Sequence, residues 1–483
     1  MTDSRVPGRT PLRPWLPVAG VAFLALAASI SGLGNQWSQD DFPLIWKNPA
    51  MHDLSGAWRF FLEPYWPEPF IQALYRPFAS VSFALQWAIS GGSPMLFRIA
   101  SYLLYAGSAV ALFFLARRLL PVAAAFAAAA LFAVHPVHVE SVAVAVNQAE
   151  IWVGLLACVI VLYYLRARSR GGPLTRREIL VLAALYLAAC LFKENALMIP
   201  GFLLLAEPLL IRTGEPWRAR AGVLRLPFLV LALVAVAFYG VRTLVLRGDA
   251  VGTFAAEGFF GLDMTERGLT MLAVVPEWVR LLVWPAHLQA DYSPSEIVGA
   301  TGWGMQQTLG AVLLLALLLT ALVSWRRAPV ITFGLGWTAI ALFPVSNVLV
   351  TTGIVMAERT LFLPSVGFLL AVGGAAALLV GRAEAGARVA LAAGLGVLLI
   401  AGTYRSGLRH PVWQDQFTLW HSTAIRDAPL SYRARHALAE MLFLAGAEGE
   451  AEQHYRAAIA LYPRMSTVYL DYANKLRVKG HCY

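Results

Sequence analysis

The sequence predicts an all-α fold: a polytopic helical bundle within a membrane, followed by a short helical repeat at the C-terminus. Three observations carry that reading. Of 483 residues, 59% are hydrophobic and only 14% charged, with mean hydropathy +0.63, whereas ordinary soluble domains carry about 25% charged residues. Eleven stretches are apolar over most of the roughly 20 residues a helix needs to cross a hydrocarbon core. From residue 405 onward the composition turns polar and a 34-residue period appears. Such a composition excludes a disordered chain and a cytosolic globular enzyme.

In chain order the expected spans are 15–34, 95–116, 119–134, 144–165, 179–192, 196–211, 226–246, 305–324, 330–350, 361–381 and 389–404. The third, fifth and sixth are short, which suits tilted, re-entrant or bundle-buried segments. The first follows Arg5, Arg9 and Arg13 and lacks a small-residue cleavage site, so it reads as a retained span behind a cytoplasmic tail, residues 1–14. Two long loops interrupt the series, 35–94 and 247–304. Within the first, Leu54 to Leu62 suits an amphipathic helix at the interface. In the second, the apolar run from Leu269 to Trp284 is broken by Glu277 and Arg280, which favours a surface helix over a span. Loops of this length are usually functional. Cys158 and Cys190 fall inside apolar runs and read as small core residues, and with Cys482 they make no disulfide framework.

Charge sets the sidedness. With the N-terminus inside and spans alternating, the inner segments hold 18 basic and five acidic residues. The outer segments up to residue 404 hold ten basic and sixteen acidic residues. Basic residues retained on the inner side are the topology signal of membrane proteins, so the net charge of +10 is no evidence for nucleic-acid binding. The outer side also receives all four histidines of the membrane domain: His52, His135, His138 and His287. The chemistry of the membrane domain, 15–404, is expected there, and an odd number of spans puts the tail, 405–483, outside as well.

In that tail Pro429 and Pro463 lie 34 residues apart, as do Ala424 and Ala458. This is the tetratricopeptide (TPR) period. Leu438, Ala439, Leu442, Gly446, Ala451, Tyr455 and Ala458 fall at the packing positions of one full repeat, and Tyr469, Tyr472, Ala473, Leu476 and Gly480 begin another. Short arrays need support: either the tail leans on the membrane domain or the array is truncated.

Five groups on the outer side can carry chemistry. Asp40-Asp41 stands just beyond the first span, where a carboxylate can act as base toward a hydroxyl and adjacent acids perturb each other. His135, His138 and Glu140, in "HPVHVES", place two imidazoles three residues apart, a pattern that suits a metal or an anionic ligand. Lys193-Glu194-Asn195 lies between two apolar runs, where ionisable groups are functional candidates. Glu358-Arg359 is an isolated pair, its arginine suited to bidentate phosphate contacts, and Tyr75-Arg76-Pro77 lies in the first loop. Against each stands a plainer reading as a turn, an interfacial cluster or a local ion pair.

The motifs "QDDFPLIWKNP", "YRPFASVSFALQ", "LFAVHPVHVESVA", "LFKENALMIP", "LLVWPAHLQADYS", "FPVSNVLVTTGIVMAERTLFLPSVGF" and "FTLWHSTAIRDAP" occur in that order. From Asn35 onward the chain thereby resembles the TMTC family, membrane proteins with C-terminal TPR repeats that act as protein O-mannosyltransferases, and its bacterial relatives. The resemblance implies a GT-C glycosyltransferase fold with an extracytoplasmic active site. It also implies an inverting transfer from a polyprenyl-phosphate-linked sugar, mannose first, to a hydroxyl of an extracytoplasmic protein or glycan. The acidic pair then supplies the base, Asp40 ahead of Asp41. Lys193, Arg359, Arg76, His135 and His138 fall to the donor phosphate, with Glu140, Glu194, Glu358 and Tyr75 in support. No metal ligand is assigned, although a divalent ion is compatible with the chemistry. The chain departs from the family at Phe97, Arg98, Ser101 and Tyr105, and at Asn147-Gln148-Ala149-Glu150.

Two other functions compete. A non-catalytic scaffold would use the repeats to recruit an extracytoplasmic partner. A transporter or flippase would need ionisable residues near the midplane, whereas the charges here lie at the edges. Abundant Ala and Arg with few Lys suit a high-GC bacterium and thus its inner membrane.

Overall fold

The computed structural model describes residues 15–70, 73–211, 216–248 and 255–478. The N-terminal tail with Arg5, Arg9 and Arg13, together with Arg212, Gly480 and Cys482, lies outside the described residues. Among those described there is no strand, and the chain is all-α.

Each expected span is helical over most of its length, that at 330–350 only as far as Val345. In order the helices are α1 (Leu16–Ser29), α2 (Pro77–Ser90), α3 (Pro94–Leu119), α4 (Val122–Ala133), α5 (Val139–Ala143), α6 (Gln148–Arg168), α7 (Arg176–Phe192), α8 (Ile199–Leu210) and α9 (Trp217–Val245). There follow α10 (Met264–Val283), α11 (Met305–Arg327), α12 (Pro329–Leu342), α13 (Phe362–Arg382), α14 (Ala385–Arg409), α15 (Gln416–Ser422), α16 (Tyr432–Leu444), α17 (Glu448–Leu461) and α18 (Ser466–Val478). Six of these segments are long and apolar enough to cross a membrane: those of α3, α6, α9, α11, α13 and α14. The bent pair α4–α5, which turns 46° at the His-Pro motif, raises the number to seven. The chain is an integral membrane protein. On α11 and α14 large apolar side chains such as Leu315, Leu318, Leu322, Val389, Val397 and Ile400 are exposed, the kind of surface a bilayer covers.

The central core joins α1, α3, α4, α6, α7, α8, α12 and α13. Glycine permits its closest crossing. A Cβ on Gly334 of α12 would sit 2.4 Å from the Gly367 carbonyl of α13, and one on Gly367 would sit 2.5 Å from the Gly334 carbonyl, so the two backbones touch there. Trp337, fully buried beside this crossing, stacks on Phe202 at 3.9 Å between ring centroids and donates Nε1–H to the Leu363 carbonyl at 3.0 Å.

The two ends of α6 carry different buried charge. At its last turn Arg168 donates Nε–H to Glu207 Oε1 (2.8 Å), and the Tyr164 hydroxyl donates to the same carboxylate at 2.5 Å. Arg220 of α9 adds a bond to the Glu207 carbonyl at 2.8 Å. This network clamps α6, α8 and α9. Glu150, in the first turn of α6, lies about 27 Å away at 1.5 Å per residue and belongs to the candidate site.

The first loop is more ordered than a loop. It contains a short 3-10 helix, Leu54–Phe61, where the sequence suits an amphipathic helix, and the 14-residue α2, which no apolar run of bilayer length marks. Trp37, Trp87 and His52 anchor it: His52 stacks on Trp87 at 3.7 Å and Trp37 packs edge-on against Phe97 at 4.9 Å. In the second loop the run from Leu269 lies within α10, whose buried face (Met271, Val274, Trp278, Leu281) joins Val355, Met356 and Leu361 in a second core.

The C-terminal helices rest on this second loop. Ser431 Oγ donates to Asp291 Oδ2 (2.7 Å), Leu430 N–H to Glu296 Oε1 (2.8 Å), and Tyr462 OH to the Glu257 carbonyl (2.9 Å). Arg433 pairs with Glu257 and lies 3.6 Å from Asp291. Of the two supports considered for a short array, contact with the rest of the protein is present.

Candidate active site

Beyond α1 the chain makes a 3-10 turn, Ile30–Gly32, then bends at Gln39, whose φ of 47° is left-handed. Asp40 and Asp41 follow and enter a π-turn, Phe42–Trp46. The two acids meet different surroundings. Asp41 is fully buried, and its carboxylate accepts from Val146 N–H (3.0 Å), Ala145 N–H (3.2 Å) and Arg98 Nη2 (3.2 Å). The amides belong to the break before α6, and Arg98, itself fully buried on α3, also donates to the Gln36 carbonyl at 2.6 Å. Burial pushes the Asp41 carboxyl up, while Arg98 and the two amides favour its ionised form.

Asp40 is only partly buried, and no hydrogen bond among the described residues occupies its carboxylate. Desolvation raises its pKa above the ordinary aspartate value, with Arg359, Arg76 and Arg433 pulling the other way. One aspartate is thus committed to holding the fold, and its neighbour keeps free lone pairs in a cationic field.

Two ion-paired arginines, Arg359 and Arg76, act on Asp40 through their charge, and Lys193, of a third pair, lies in the field of Arg76 and Glu194. Arg76 reaches Glu194 with both Nε (3.0 Å) and Nη2 (2.5 Å) and lies over the Tyr65 ring at 5.3 Å. Lys193 pairs with Glu150, whose other oxygen accepts from Asn195 Nδ2 at 3.0 Å. Arg359 pairs with Glu140 through its guanidinium and donates its backbone N–H to Glu140 Oε2 at 2.8 Å. The exposures are lopsided. Lys193 and Arg359 side chains are 15% and 20% exposed, whereas Glu150 and Glu140 are 2% and 1% exposed. The carboxylates seat the cations from within and leave the cationic faces open. Burial alone would raise the Glu194 carboxyl, but the charge and hydrogen bonds of Arg76, with Lys193, hold it at about 2. Desolvation lowers Lys193, against the pull of Glu150.

The structure thus brings together Asp40, Arg76, Lys193, Glu194, Arg359 and Glu140 from the sequence reading. His135 and His138 are buried beside Glu140 with their ring nitrogens engaged. His135 Nε2 meets the Leu282 carbonyl at 3.0 Å, and His138 lies between Tyr105 OH (2.9 Å) and Ser365 Oγ (2.8 Å). They tie α3, α10 and α13 to the bend after α4. Glu358 accepts from Gln289 N–H (2.5 Å) and Tyr292 OH (3.1 Å), joining the second loop to the start of α13 next to Arg359. Tyr75 donates to the Phe61 carbonyl at 3.0 Å and closes the first loop.

Two site residues stood in the sequence only as departures from the family pattern: Arg98, which holds Asp41, and Glu150, which seats Lys193. Their signal was isolation, a lone arginine near the start of α3 and a lone glutamate at the start of α6, each needing a buried counterion. Gln148 beside them bonds Gln86 (3.0 Å) and Ser101 (3.1 Å). Among the described residues, one His/Asp/Glu set is close enough to share a metal ion: His436, Glu440 and Asp471 in the tail. There Lys475 Nζ already lies 3.6 Å from Glu440 and the Tyr455 hydroxyl donates to it.

Comparison with protein-family models gives no match. Curated relatives do match. The chain is 24% identical to the mouse protein O-mannosyl-transferase TMTC1 over 95% of its own length and 60% of the relative's. It is 25% identical to the Caenorhabditis elegans protein O-mannosyl-transferase F38B6.6, over 91% of the chain and 62% of the relative. With human TMTC4 identity is 28%, over 79% of the chain and 57% of the relative. The chain therefore spans only about three fifths of the length of these relatives. Over nearly all of its own length, however, the chain is similar in sequence to the TMTC protein O-mannosyl-transferases.

Proposed function

We propose that the protein is a membrane glycosyltransferase that moves a sugar, mannose first among candidates, from a polyprenyl-phosphate-linked donor to a hydroxyl of a protein or glycan. The observation that carries the reading is the contrast between the two adjacent aspartates: Asp41 is bound on both oxygens, whereas Asp40 has no hydrogen bond on its carboxylate among the described residues and lies in the field of Arg359, Arg76 and Arg433. The names of the relatives support the reaction class.

In the proposed reaction Asp40 accepts the proton of the acceptor hydroxyl as its oxygen attacks C1 of the sugar from the face opposite the phosphate. The C1–O bond to the phosphate breaks, polyprenyl phosphate departs with the bonding electrons, and the anomeric centre inverts. The burial that raises the Asp40 pKa makes it a stronger base once ionised. Lys193, Arg359 and Arg76 face the departing phosphate, where preorganised charge lowers the barrier most. Glu150, Glu140 and Glu194 fix those cations so that little reorganisation accompanies the step. The positive-inside pattern puts this end of the bundle outside the cytoplasm, in the reading of a bacterial inner-membrane protein whose TPR-like tail shares that side.

The test is transfer by purified protein from polyprenyl-phosphate-[3H]mannose to mixed periplasmic proteins and glycans. The expected result is acceptor-bound label with an anomeric configuration opposite to that of the donor. Retention of configuration would contradict the single displacement, and failure with this and other lipid-linked sugars would contradict the glycosyltransferase.

A further inference from the structure

The segment from Phe417 to Pro429, the last of the ordered motifs, takes no part in the chemistry above. Asp415 caps α15, accepting from Thr418 N–H at 2.8 Å, and so places Gln416 in the first turn. From there the Gln416 amide grips one residue of the first loop at two points. Its Oε1 accepts the Gln39 N–H at 3.2 Å, and its Nε2 donates to the Gln39 carbonyl at 3.4 Å. Trp420 donates Nε1–H to the same Oε1 at 2.9 Å. An indole N–H can only donate, so it fixes which end of the amide is oxygen.

The residue held is the strained one. Gln39 has φ 47° without being glycine, a left-handed conformation that is strained for a side chain with a Cβ and needs outside support. Asp40 is next in the chain, and its backbone direction follows from that bend. The surrounding chain is tied to the same C-terminal linker: Gln36 N–H donates to the Gln414 carbonyl (2.7 Å) and Asn35 Nδ2 to the His410 carbonyl (2.8 Å).

We propose that Gln416 is a positioning residue for Asp40, locking the left-handed bend at Gln39 that aims the base. The inference rests on the glycosyltransferase reading, with Asp40 as base. The tail is then part of the catalytic apparatus through this linker, independently of anything its repeats bind.

The experiment compares the full-length wild type with Gln416→Met, which keeps size and loses all three bonds, and Gln416→Glu, which keeps the acceptor and loses the donor. Transfer from polyprenyl-phosphate-[3H]mannose and hydrogen–deuterium exchange over residues 35–41 are read on the folded fraction. In Gln416→Met, kcat falls on the order of tenfold to a hundredfold with donor KM unchanged, the acid limb of the pH profile moves down as Asp40 gains water, and the Gln39 amide exchanges faster. Gln416→Glu falls between. Unchanged kcat per folded molecule, or unchanged protection of the Gln39 amide, overturns the proposal, as does a loss confined to the yield of folded protein. A wild type that transfers no sugar contradicts the glycosyltransferase reading instead, and the exchange arm then decides the clamp alone.

Discussion

Adjacent carboxylates at a membrane edge cannot be told apart by spacing, and Asp40 and Asp41 differ through what the fold brings to each. Burial raises the folded-state pKa of Asp40 above its unfolded value, so any stability linked to this group exists at low pH and is lost as pH rises through the folded pKa. At neutral pH ionised Asp40 is therefore no asset to stability, while the proposed role as base needs it ionised. We expect the acid limb of kcat/KM for transfer to lie above the ordinary aspartate pKa of about 3.9 and to vanish with residual activity in Asp40→Asn; a limb below pH 4 would remove the burial argument. In the proposed reaction each cation makes a charge-assisted bond to the donor phosphate, an interaction of about 1.5–3 kcal/mol. Lys193→Met should thus lower kcat/KM for the lipid-linked donor roughly tenfold to a hundredfold, measured by steady-state transfer at varied donor. The sequence displayed Asp40, Arg76, Lys193 and Arg359 because ionisable residues are conspicuous in apolar surroundings. It displayed Glu140 but not its pairing with Arg359, and Glu150 only as a departure from the family pattern, because these carboxylates reach their partners across 219 and 43 residues of chain.

Helices were the most legible elements, since each apolar run of bilayer length can satisfy its backbone only as a helix. What stayed hidden was helix within polar or aromatic sequence, such as α2, whose residues pack on loop aromatics as well as on the bundle and so show no simple apolar run. The contacts between elements were hidden too. Nothing local marks Gly334 and Gly367 as the place where α12 and α13 touch. Gly334→Ala puts a methyl 2.4 Å from a carbonyl oxygen and should destabilise the protein by about 1–3 kcal/mol, read as a lower midpoint in thermal unfolding in detergent; no change would mean the crossing is looser than described. At the far end of α6, Glu207→Gln weakens the clamp on Arg168 and should lower stability while leaving donor KM unaltered, because it lies about 27 Å from Glu150.

Across the whole molecule, charge is sorted by height. Arg168, Glu207 and Arg220 gather at one end of the bundle, and Asp40 with its ion pairs at the other. With the inner end cytoplasmic, Ser169→Cys should react with an impermeant thiol reagent only from the cytoplasmic side and Ser55→Cys only from outside, in a Cys482→Ser background; both positions are exposed, and Cys158 and Cys190 are buried. The reverse pattern would invert the topology. The tail's period was visible in sequence, but its seat on the second loop was not, because Arg433–Glu257 and Ser431–Asp291 join segments far apart in the chain. The most direct measurement sets Asp40→Asn beside Asp41→Asn, scoring mannose transfer and thermal stability on the same preparations. Asp40→Asn should keep or raise the unfolding midpoint and lose about 10²- to 10⁴-fold in kcat. Asp41→Asn should lose about 3–5 kcal/mol of stability by leaving Arg98 buried without its counterion. An Asp40→Asn protein that transfers sugar at the wild-type rate would contradict the account.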